Sequence, residues 1–223
     1  MLPRRSTIRG RRMLYELRTY TFTPGKMPDY LKLSAEVGSK VRGDRYGKRL
    51  GTWTSEIGVL NQVWHLWEYE SYEERTRLRG ELSKNRDWTE GFVSKIRPLL
   101  ARQEIRFMNA FLPFKAPETS GNIYELRLYR ANTGAVKQWS ELFKAIMPVR
   151  EKYSANVCAW TVESPDPNSV VHIWAYPDLN ARRDVREAAL RDPEWQTFLG
   201  QGTALLAEMQ SVILLPTAVS PLK

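Results

Sequence analysis

The fold is decided by the stretch Leu14-Tyr15-Glu16-Leu17-Arg18-Thr19-Tyr20, which returns 109 positions later as Ile123-Tyr124-Glu125-Leu126-Arg127-Leu128-Tyr129. A second stretch, Val63-Trp64-His65-Leu66-Trp67-Glu68-Tyr69, returns 107 positions later as Val170-Val171-His172-Ile173-Trp174-Ala175-Tyr176. Solenoid repeats are about 20–50 residues long, so an offset of this size indicates a duplicated domain instead. The change in the offset predicts two small deletions between the copies.

Both copies show the same order of predicted elements. In the first copy the residues from Tyr15 to Phe22 alternate in the manner of a strand, and Pro24-Gly25 then marks a turn. Apolar residues at helical spacing follow, and then a hairpin with strands at 51–57 and 62–70. A second helix and a last strand complete the copy. The order strand–helix–strand–strand–helix–strand is the ferredoxin-like pattern, so the sequence predicts an α+β protein.

The arrangement of the two copies follows from the one-sided cover of such a sheet. A ferredoxin-like sheet carries helices on one face only, and its other face needs a partner. The sequence therefore predicts two tandem ferredoxin-like (βαββαβ) domains, packed sheet to sheet as a pseudo-dimer. We place the domains at 13–112 and 123–216, with a linker at 113–122 and a tail at 217–223.

Charge is concentrated at the beginning of the 223-residue chain. Residues 1–12 contain five arginines and no acidic residue, so they account for five of the nine net positive charges. We expect this segment to be a disordered extension, with a targeting signal as the alternative. The remainder carries a net charge of +4, which gives only modest long-range attraction to nucleic acid.

Several classes of site are absent from the sequence. The two histidines lie 107 positions apart and the only cysteine is Cys158, so no short-spaced set of metal ligands exists. We predict no metal and no cofactor, because the sequence also lacks a glycine-rich phosphate loop. The third strand lacks the RNA-recognition signature, and no apolar run approaches the roughly 18 residues of a membrane span. The sequence therefore predicts neither a nucleic-acid partner nor a membrane span.

Polar side chains recur on one face of two neighbouring strands in each copy. Because side chains alternate along a strand, we expect these polar faces to share the space between the two sheets, with the opposite apolar faces beneath the helices. The predicted ligand-binding residues are Glu16, Arg18, Tyr20, Trp67, Glu125, Arg127, Tyr129 and Trp174, and the predicted catalytic residues are His65 and His172. The arginines could pair with ligand oxygens, and the histidines could act as acid or base.

A purely structural interpretation of the same residues stays open. Adjacent Glu and Arg side chains on one strand face can neutralise each other, and an interior histidine can close a hydrogen-bond network. Trp53 and Trp160 occupy equivalent positions on the second strand of each copy, where core packing is expected.

The motif Tyr15-Glu16-Leu17-Arg18-x-Tyr20 with Pro24-Gly25, followed by Val63-x-His65-x-Trp67-x-Tyr69, resembles the NIPSNAP family, and the second copy repeats it. The resemblance covers the chain from Met13 to about Pro216. It implies a dimeric α/β-barrel fold, in the same fold group as cofactor-free monooxygenases and some haem proteins. Animal members of the family resemble mitochondrial scaffold or signalling proteins. The second copy departs at the turn, where Thr133-Gly134 replaces Pro24-Gly25.

Two hypotheses for function follow. In the first, a small apolar or aromatic molecule binds between the sheets, with a cofactor-independent, monooxygenase-like activity as its catalytic form. In the second, the chain is a protein–protein interaction module with a side-chain-filled barrel and an exposed apolar patch. We expect a cytoplasmic location, with the mitochondrion as the alternative. The pseudo-dimer is also compatible with a homo-oligomer.

Overall fold

The computed structural model describes residues 13–223, and the predicted basic extension at 1–12 lies outside this range. Eight antiparallel strands form the framework of the described chain. They are β1 (Leu14–Phe22), β2 (Lys48–Ile57), β3 (Gln62–Tyr69), β4 (Leu100–Leu112), β5 (Ile123–Ala131), β6 (Asn156–Ser164), β7 (Ser169–Tyr176) and β8 (Leu206–Pro216).

Helical segments connect the strands in the same order in each repeat. Helix α1 consists of Met27–Leu33, Ser34–Gly38 and Ser39–Arg42 end to end, and α2 spans Tyr72–Leu82. Helix α3 consists of Arg86–Trp88, Thr89–Val93, Ser94–Ile96 and Arg97–Leu99 end to end. In the second repeat they correspond to α4 (Val136–Arg150), α5 (Leu179–Leu190) and α6 (Pro193–Thr203).

The helices that cover each sheet begin at equivalent capping residues. The Ser71 hydroxyl accepts a hydrogen bond from the backbone N–H of Glu74 at 3.1 Å, and Asp178 does the same for Ala181 at 2.8 Å. A side-chain oxygen at this position satisfies one of the free N–H groups of the first helical turn. The two repeats therefore start α2 and α5 by the same local chemistry.

The eight strands close into one barrel in the order β1-β3-β2-β8-β5-β7-β6-β4. Each repeat supplies four neighbouring strands in the order fourth, first, third, second. The two sheets are joined by the antiparallel pairs β2–β8 and β4–β6. The predicted pseudo-dimer of two ferredoxin-like units is confirmed, and because the barrel is closed it has no free sheet edge.

The barrel interior is filled by apolar side chains from both repeats. Tyr15 packs edge-on against Trp160 with ring centroids 5.6 Å apart, and Trp53 packs against Tyr124 at the same distance. Trp53 and Trp160 are fully buried in this cluster, as expected for core packing. The thiol of Cys158 is also buried there and donates to the carbonyl of Leu112 at 3.1 Å.

The expected orientation of the strand faces is wrong. The apolar faces, which contain Leu17, Trp64 and Leu66, point into the barrel and not toward the helices. The polar faces, which carry Arg18 and His65, lie beneath the helices of their own repeat. A closed barrel of eight strands is just wide enough to be filled by side chains, and burying unpaired charges there would cost more than burying aromatics.

Two wide helical turns occur in the first repeat and not in the second. Ser34–Gly38 in α1 and Thr89–Val93 in α3 are π-helical, whereas α4 and α6 are regular α-helices. Each π turn accommodates one additional residue. Helix α1 therefore uses 16 residues where α4 uses 15, which accounts for one of the two predicted deletions.

Within residues 13–223, none of the helices combines the length and the apolar character needed to cross a membrane.

Two glycines test how tightly the barrel is packed. A Cβ on Gly51 would lie within 2 Å of the buried ring of Trp53, whereas a Cβ on Gly80, on the exposed side of α2, would meet no atom within 4 Å. We expect Gly51→Ala to lower the free energy of unfolding by about 2 kcal/mol through overpacking. Gly80→Ala should raise it by about 0.5–1 kcal/mol through helix propensity. Urea denaturation of both variants measures this, and equal effects would contradict the packing described for β2.

Candidate functional site

A cavity of about 490 Å³ lies in the first repeat between the outer face of its sheet and helices α1, α2 and α3. Its lining combines aromatic and aliphatic side chains with six arginines. From the strands come Arg18, Tyr20, Arg49, His65, Trp67, Leu100, Gln103 and Ile105, and from the helices come Tyr30, Ser34, Gly38, Ser39, Arg42, Arg75, Arg79, Trp88, Phe92, Val93, Ile96 and Arg97.

Strand register brings the residues predicted from the sequence together. In the β1–β3 pair Arg18 lies opposite His65, and Glu16 lies opposite Trp67. Directly opposed residues on one sheet face are close neighbours, so the four side chains form one group beneath the helices. The pair β5–β7 repeats this arrangement in the second repeat, with Arg127 opposite His172 and Glu125 opposite Trp174.

The guanidinium of Arg18 is already held by protein groups. Its Nε donates to the carboxylate of Glu16, and its Nη1 donates to the hydroxyl of Tyr20 at 2.8 Å. The other carboxylate oxygen of Glu16 accepts from Arg75 of α2. Burial alone would raise the pKa of Glu16, but Arg18 and Arg75 hold it below its usual value. This network therefore fastens α2 to the sheet, which favours a structural role for Glu16 and Arg18.

His65 is a buried neutral imidazole at the wall of the cavity. Its Nε2 lies 3.0 Å from the hydroxyl of Tyr30 on α1, and its Nδ1 lies 3.5 Å from the hydroxyl of Thr52. Burial lowers the pKa of His65 well below its usual value, and the nearby arginines, Arg18 foremost, lower it further. Because both ring nitrogens already have hydroxyl partners, a molecule in the cavity would exchange a proton with the neutral imidazole through the Tyr30 hydroxyl, which also lines the cavity.

Five of the six cavity arginines were not predicted from the sequence. They are Arg42 at the end of α1, Arg49 on β2, Arg75 and Arg79 on α2, and Arg97 on α3. The guanidinium of Arg42 stacks on the ring of Trp67, 3.3 Å from its centroid, and Arg150 stacks on Trp174 at 4.6 Å. Comparing the copies across α1 and α4 with an offset of 108 could have identified this arginine pair.

The second repeat retains the polar network but not the cavity. Arg127 pairs with Glu125 at 2.7 Å and donates to the hydroxyl of Tyr129 at 2.8 Å. Nδ1 of His172 accepts from the indole N–H of Trp174 at 2.7 Å. The free space at this equivalent position is about 60 Å³.

Aromatic side chains of α4 fill the second repeat. Trp139 and Phe143 stack with centroids 4.6 Å apart and an interplanar angle of 17°, and Phe143 lies 5.0 Å from the ring of His172. Counted from the turns at Gly25 and Gly134, Trp139 corresponds to Tyr30 in the first repeat and Phe143 corresponds to Ser34. A serine in place of a phenylalanine leaves the space above His65 open.

Another depression, of about 520 Å³, lies between the linker and the second repeat. None of the side chains predicted to form a site reaches it. Its rim carries the exposed pair of Lys115 and Glu151, with 2.9 Å between Nζ and Oε1, so these charges neutralise each other. Within residues 13–223, no group of three or more His, Cys, Asp or Glu side chains could hold a metal ion.

Comparison with known sequences finds that the profile of the NIPSNAP family matches residues 15–113 and 124–221. NipSnap homolog 2 from Homo sapiens is 30% identical over 218 residues, which cover 94% of this chain and 75% of the relative. The NipSnap homolog from Dictyostelium discoideum is 30% identical over 209 residues, which cover 91% of this chain and 87% of the relative.

Solved structures share the fold at low sequence identity. A candidate monooxygenase from Fusobacterium nucleatum matches with a TM-score of 0.69 and 14% identity, covering 92% of this chain and 93% of that structure. A candidate monooxygenase from Lactobacillus acidophilus matches with a TM-score of 0.67 and 10% identity, covering 93% and 95%. The dimeric α/β-barrel fold predicted from the sequence is thereby confirmed.

The buried histidines predict a dependence of stability on pH. Burial, assisted by Arg127, lowers the pKa of His172 from 6.5 to about 3, and that of His65 is also lowered. Between pH 6.5 and 3 the unfolded chain binds a proton that the folded chain does not, so acid favours unfolding. His172 alone should lower the free energy of unfolding by about 2 kcal/mol between pH 7 and pH 5.

Urea denaturation at pH 5, 6 and 7 measures this effect. His65 and His172 are the two histidines of the chain, so the variant carrying His65→Asn and His172→Asn should lose most of the slope. A slope that is the same in the wild type and the double variant would contradict the assignment of both histidines as buried and neutral.

Proposed function

Because this chain belongs to the NIPSNAP family, whose motif residues Arg18, His65 and Trp67 line the first-repeat cavity, we propose that it binds a small molecule there. The proposed site lies beneath α1, α2 and α3 and not in the space between the sheets. The proposed ligand has an apolar or aromatic body, since Trp88, Phe92 and other apolar side chains of α3 form much of the wall.

The contrast between the two repeats carries this proposal. Both repeats retain the Glu–Arg–Tyr network and a buried histidine, yet the free space is about 490 Å³ in one and about 60 Å³ in the other. Ligand sites usually occupy about 300–1,000 Å³. A fold that can fill this position with Trp139 and Phe143 in one repeat has no structural need for an open cavity in the other.

His65 is the proposed proton acceptor of a catalytic form of this function. It faces the cavity as a neutral imidazole, and the hydroxyl of Tyr30 at 3.0 Å can relay a proton to or from it. Any ligand that co-purifies can be identified by comparing native and denaturing mass spectra. Conversion of that ligand by the wild type and not by His65→Gln would support catalysis, and an unchanged ligand in both would contradict it.

Two observations agree with the alternative interaction module, and the first is that the barrel interior is filled by side chains. The second is that the hairpin between β2 and β3 exposes Ile57, Val59 and Leu60, which are 50%, 57% and 64% accessible. Three side chains form a small fraction of the 20–30 residues that each partner contributes to a standard interface. The cavity therefore supports small-molecule binding better than the hairpin supports a docking function. A cytoplasmic or mitochondrial location and self-association stay predictions.

Filling the cavity tests the proposed function. Ser34→Phe introduces the aromatic side chain that the second repeat carries at Phe143, and it should weaken binding of the neutral fluorescent probe N-phenyl-1-naphthylamine by about tenfold or more, which corresponds to about 1.4 kcal/mol. Glu36→Phe is the matched control, because Glu36 lies on the exposed side of the same helix. Fluorescence titration gives both affinities.

Equal affinities of the two variants and the wild type would overturn the proposed site. Circular dichroism and thermal unfolding confirm that each variant is folded before its affinity is compared.

A further inference from the structure

We propose that the ligand of the first-repeat cavity is an organic anion, whose charged group is bound by Arg42, Arg49 and Arg79. This inference rests on the proposed function, since it assigns the chemical class of the molecule that the cavity holds. It concerns arginines that the family motif does not contain.

Arg42 is the most deeply buried of the three. It is 5% exposed, its Nη2 donates to the hydroxyl of Tyr69 at 2.8 Å, and one face of its guanidinium lies on Trp67. Its Nε is buried and has no acceptor among residues 13–223. A guanidinium carries five N–H donors and cannot readily lose its charge, so a buried donor without an acceptor favours an anionic partner.

Arg49 and Arg79 show the same lack of acceptors. Nη1 of Arg49 donates to the hydroxyl of Ser39 at 3.0 Å, but its buried Nε has no partner in the described chain. The same is true of Nη1 of Arg79. Asp44 lies near Arg49, and its carboxylate accepts from the backbone N–H of that residue. Over residues 13–223, none of the three guanidinium groups lies within 4 Å of a carboxylate.

The second repeat carries less unpaired positive charge at the equivalent position, where Arg150, the counterpart of Arg42, is the buried arginine that stacks on a tryptophan. There Arg186, the counterpart of Arg79, lies 3.7 Å from the carboxylate of Glu125. The position of Arg49, opposite Trp67, is taken by Asn156, opposite Trp174. In the repeat without a cavity, one of the three arginine positions is therefore occupied by a neutral residue and another is ion-paired.

Holding these cations together is unfavourable in the protein alone. Burial lowers the pKa of Arg42 to about 10; Tyr69 opposes this shift, while Arg18 and Arg79 add to it. Burial and repulsion from Arg18 also lower the pKa of Arg79. Buried charges that lack a partner destabilise a fold, and clusters of perturbed groups are concentrated at functional sites. A bound anion would remove this repulsion.

The rest of the cavity determines the body of the ligand. Trp88, Phe92, Ile96 and Ile105 supply much of the apolar lining of the cavity. Arginine binds carboxylate and phosphate groups in the same forked geometry. The ligand class is therefore an aromatic or aliphatic acid with a single carboxylate or phosphate group.

Displacement of N-phenyl-1-naphthylamine by two isosteric competitors tests this inference. 2-Naphthoate carries a carboxylate where 2-naphthamide carries a neutral amide. We expect 2-naphthoate to displace the probe from the wild type at about tenfold lower concentration. 2-Naphthyl phosphate, measured in parallel, shows which anionic group binds more tightly.

Substitution of the less buried arginines identifies the residues responsible. The variant with Arg49→Gln and Arg79→Gln should lose most of the tenfold preference for 2-naphthoate over 2-naphthamide, because Arg42 is then the one arginine of the three that remains. The control is Arg77→Gln, which removes a charge from the exposed face of α2, where Arg77 pairs with Glu81 at 2.8 Å. This variant should keep the tenfold preference for 2-naphthoate over 2-naphthamide.

The outcomes separate the two proposals. Equal displacement by the acid and the amide in the wild type, or a preference that the double variant retains, overturns the anion assignment and leaves the cavity as a site for neutral ligands. If Ser34→Phe does not weaken binding of the neutral probe, the proposal that the cavity is the binding site is overturned.

Discussion

The packing of aromatic rings across the barrel axis is the constraint on which the structure depends. Tyr15 of one repeat meets Trp160 of the other, and Trp53 meets Tyr124 in the pseudo-symmetric contact. These rings occupy the interior so completely that the face with Glu16 and Arg18 must lie outward. The helices then have to cover a half-polar surface, and the space between helices and sheet becomes the place where a cavity can form.

Most of the fold could be predicted from the sequence because a duplication shows each element twice. The strand order and the pseudo-dimer follow from period-two alternation and from the need to cover a one-sided sheet. The sequence could not show which face of each strand points into the barrel and which lies beneath the helices. Both faces of β1 are buried in the structure, and alternation shows only that one face is more polar than the other. Leu17 on one face and Glu16 on the other are both fully buried.

The candidate site could be predicted only in part, for a similar reason. Arg18 and His65 belong to a repeated motif and can therefore be recognised from the sequence alone. Arg42 and Arg79 come from helices whose sequences differ more between the copies, and Arg49 precedes the predicted start of its strand. Whether space surrounds them depends on how the helices pack, and a single sequence gives no measure of that packing.

The π turns in α1 and α3 show how two copies of one domain can differ in length inside a helix and still keep the same contacts. An additional residue in a regular helix would rotate everything after it by about 100°. The wide turn confines that change to Ser34–Gly38, so Arg42 still reaches Trp67 just as Arg150 reaches Trp174. Insertion or deletion of a single residue can thus change the space between a helix and the sheet while the contacts at both ends of the helix are kept. In such a fold, insertions and deletions become a route to new chemistry that leaves the framework of the barrel undisturbed.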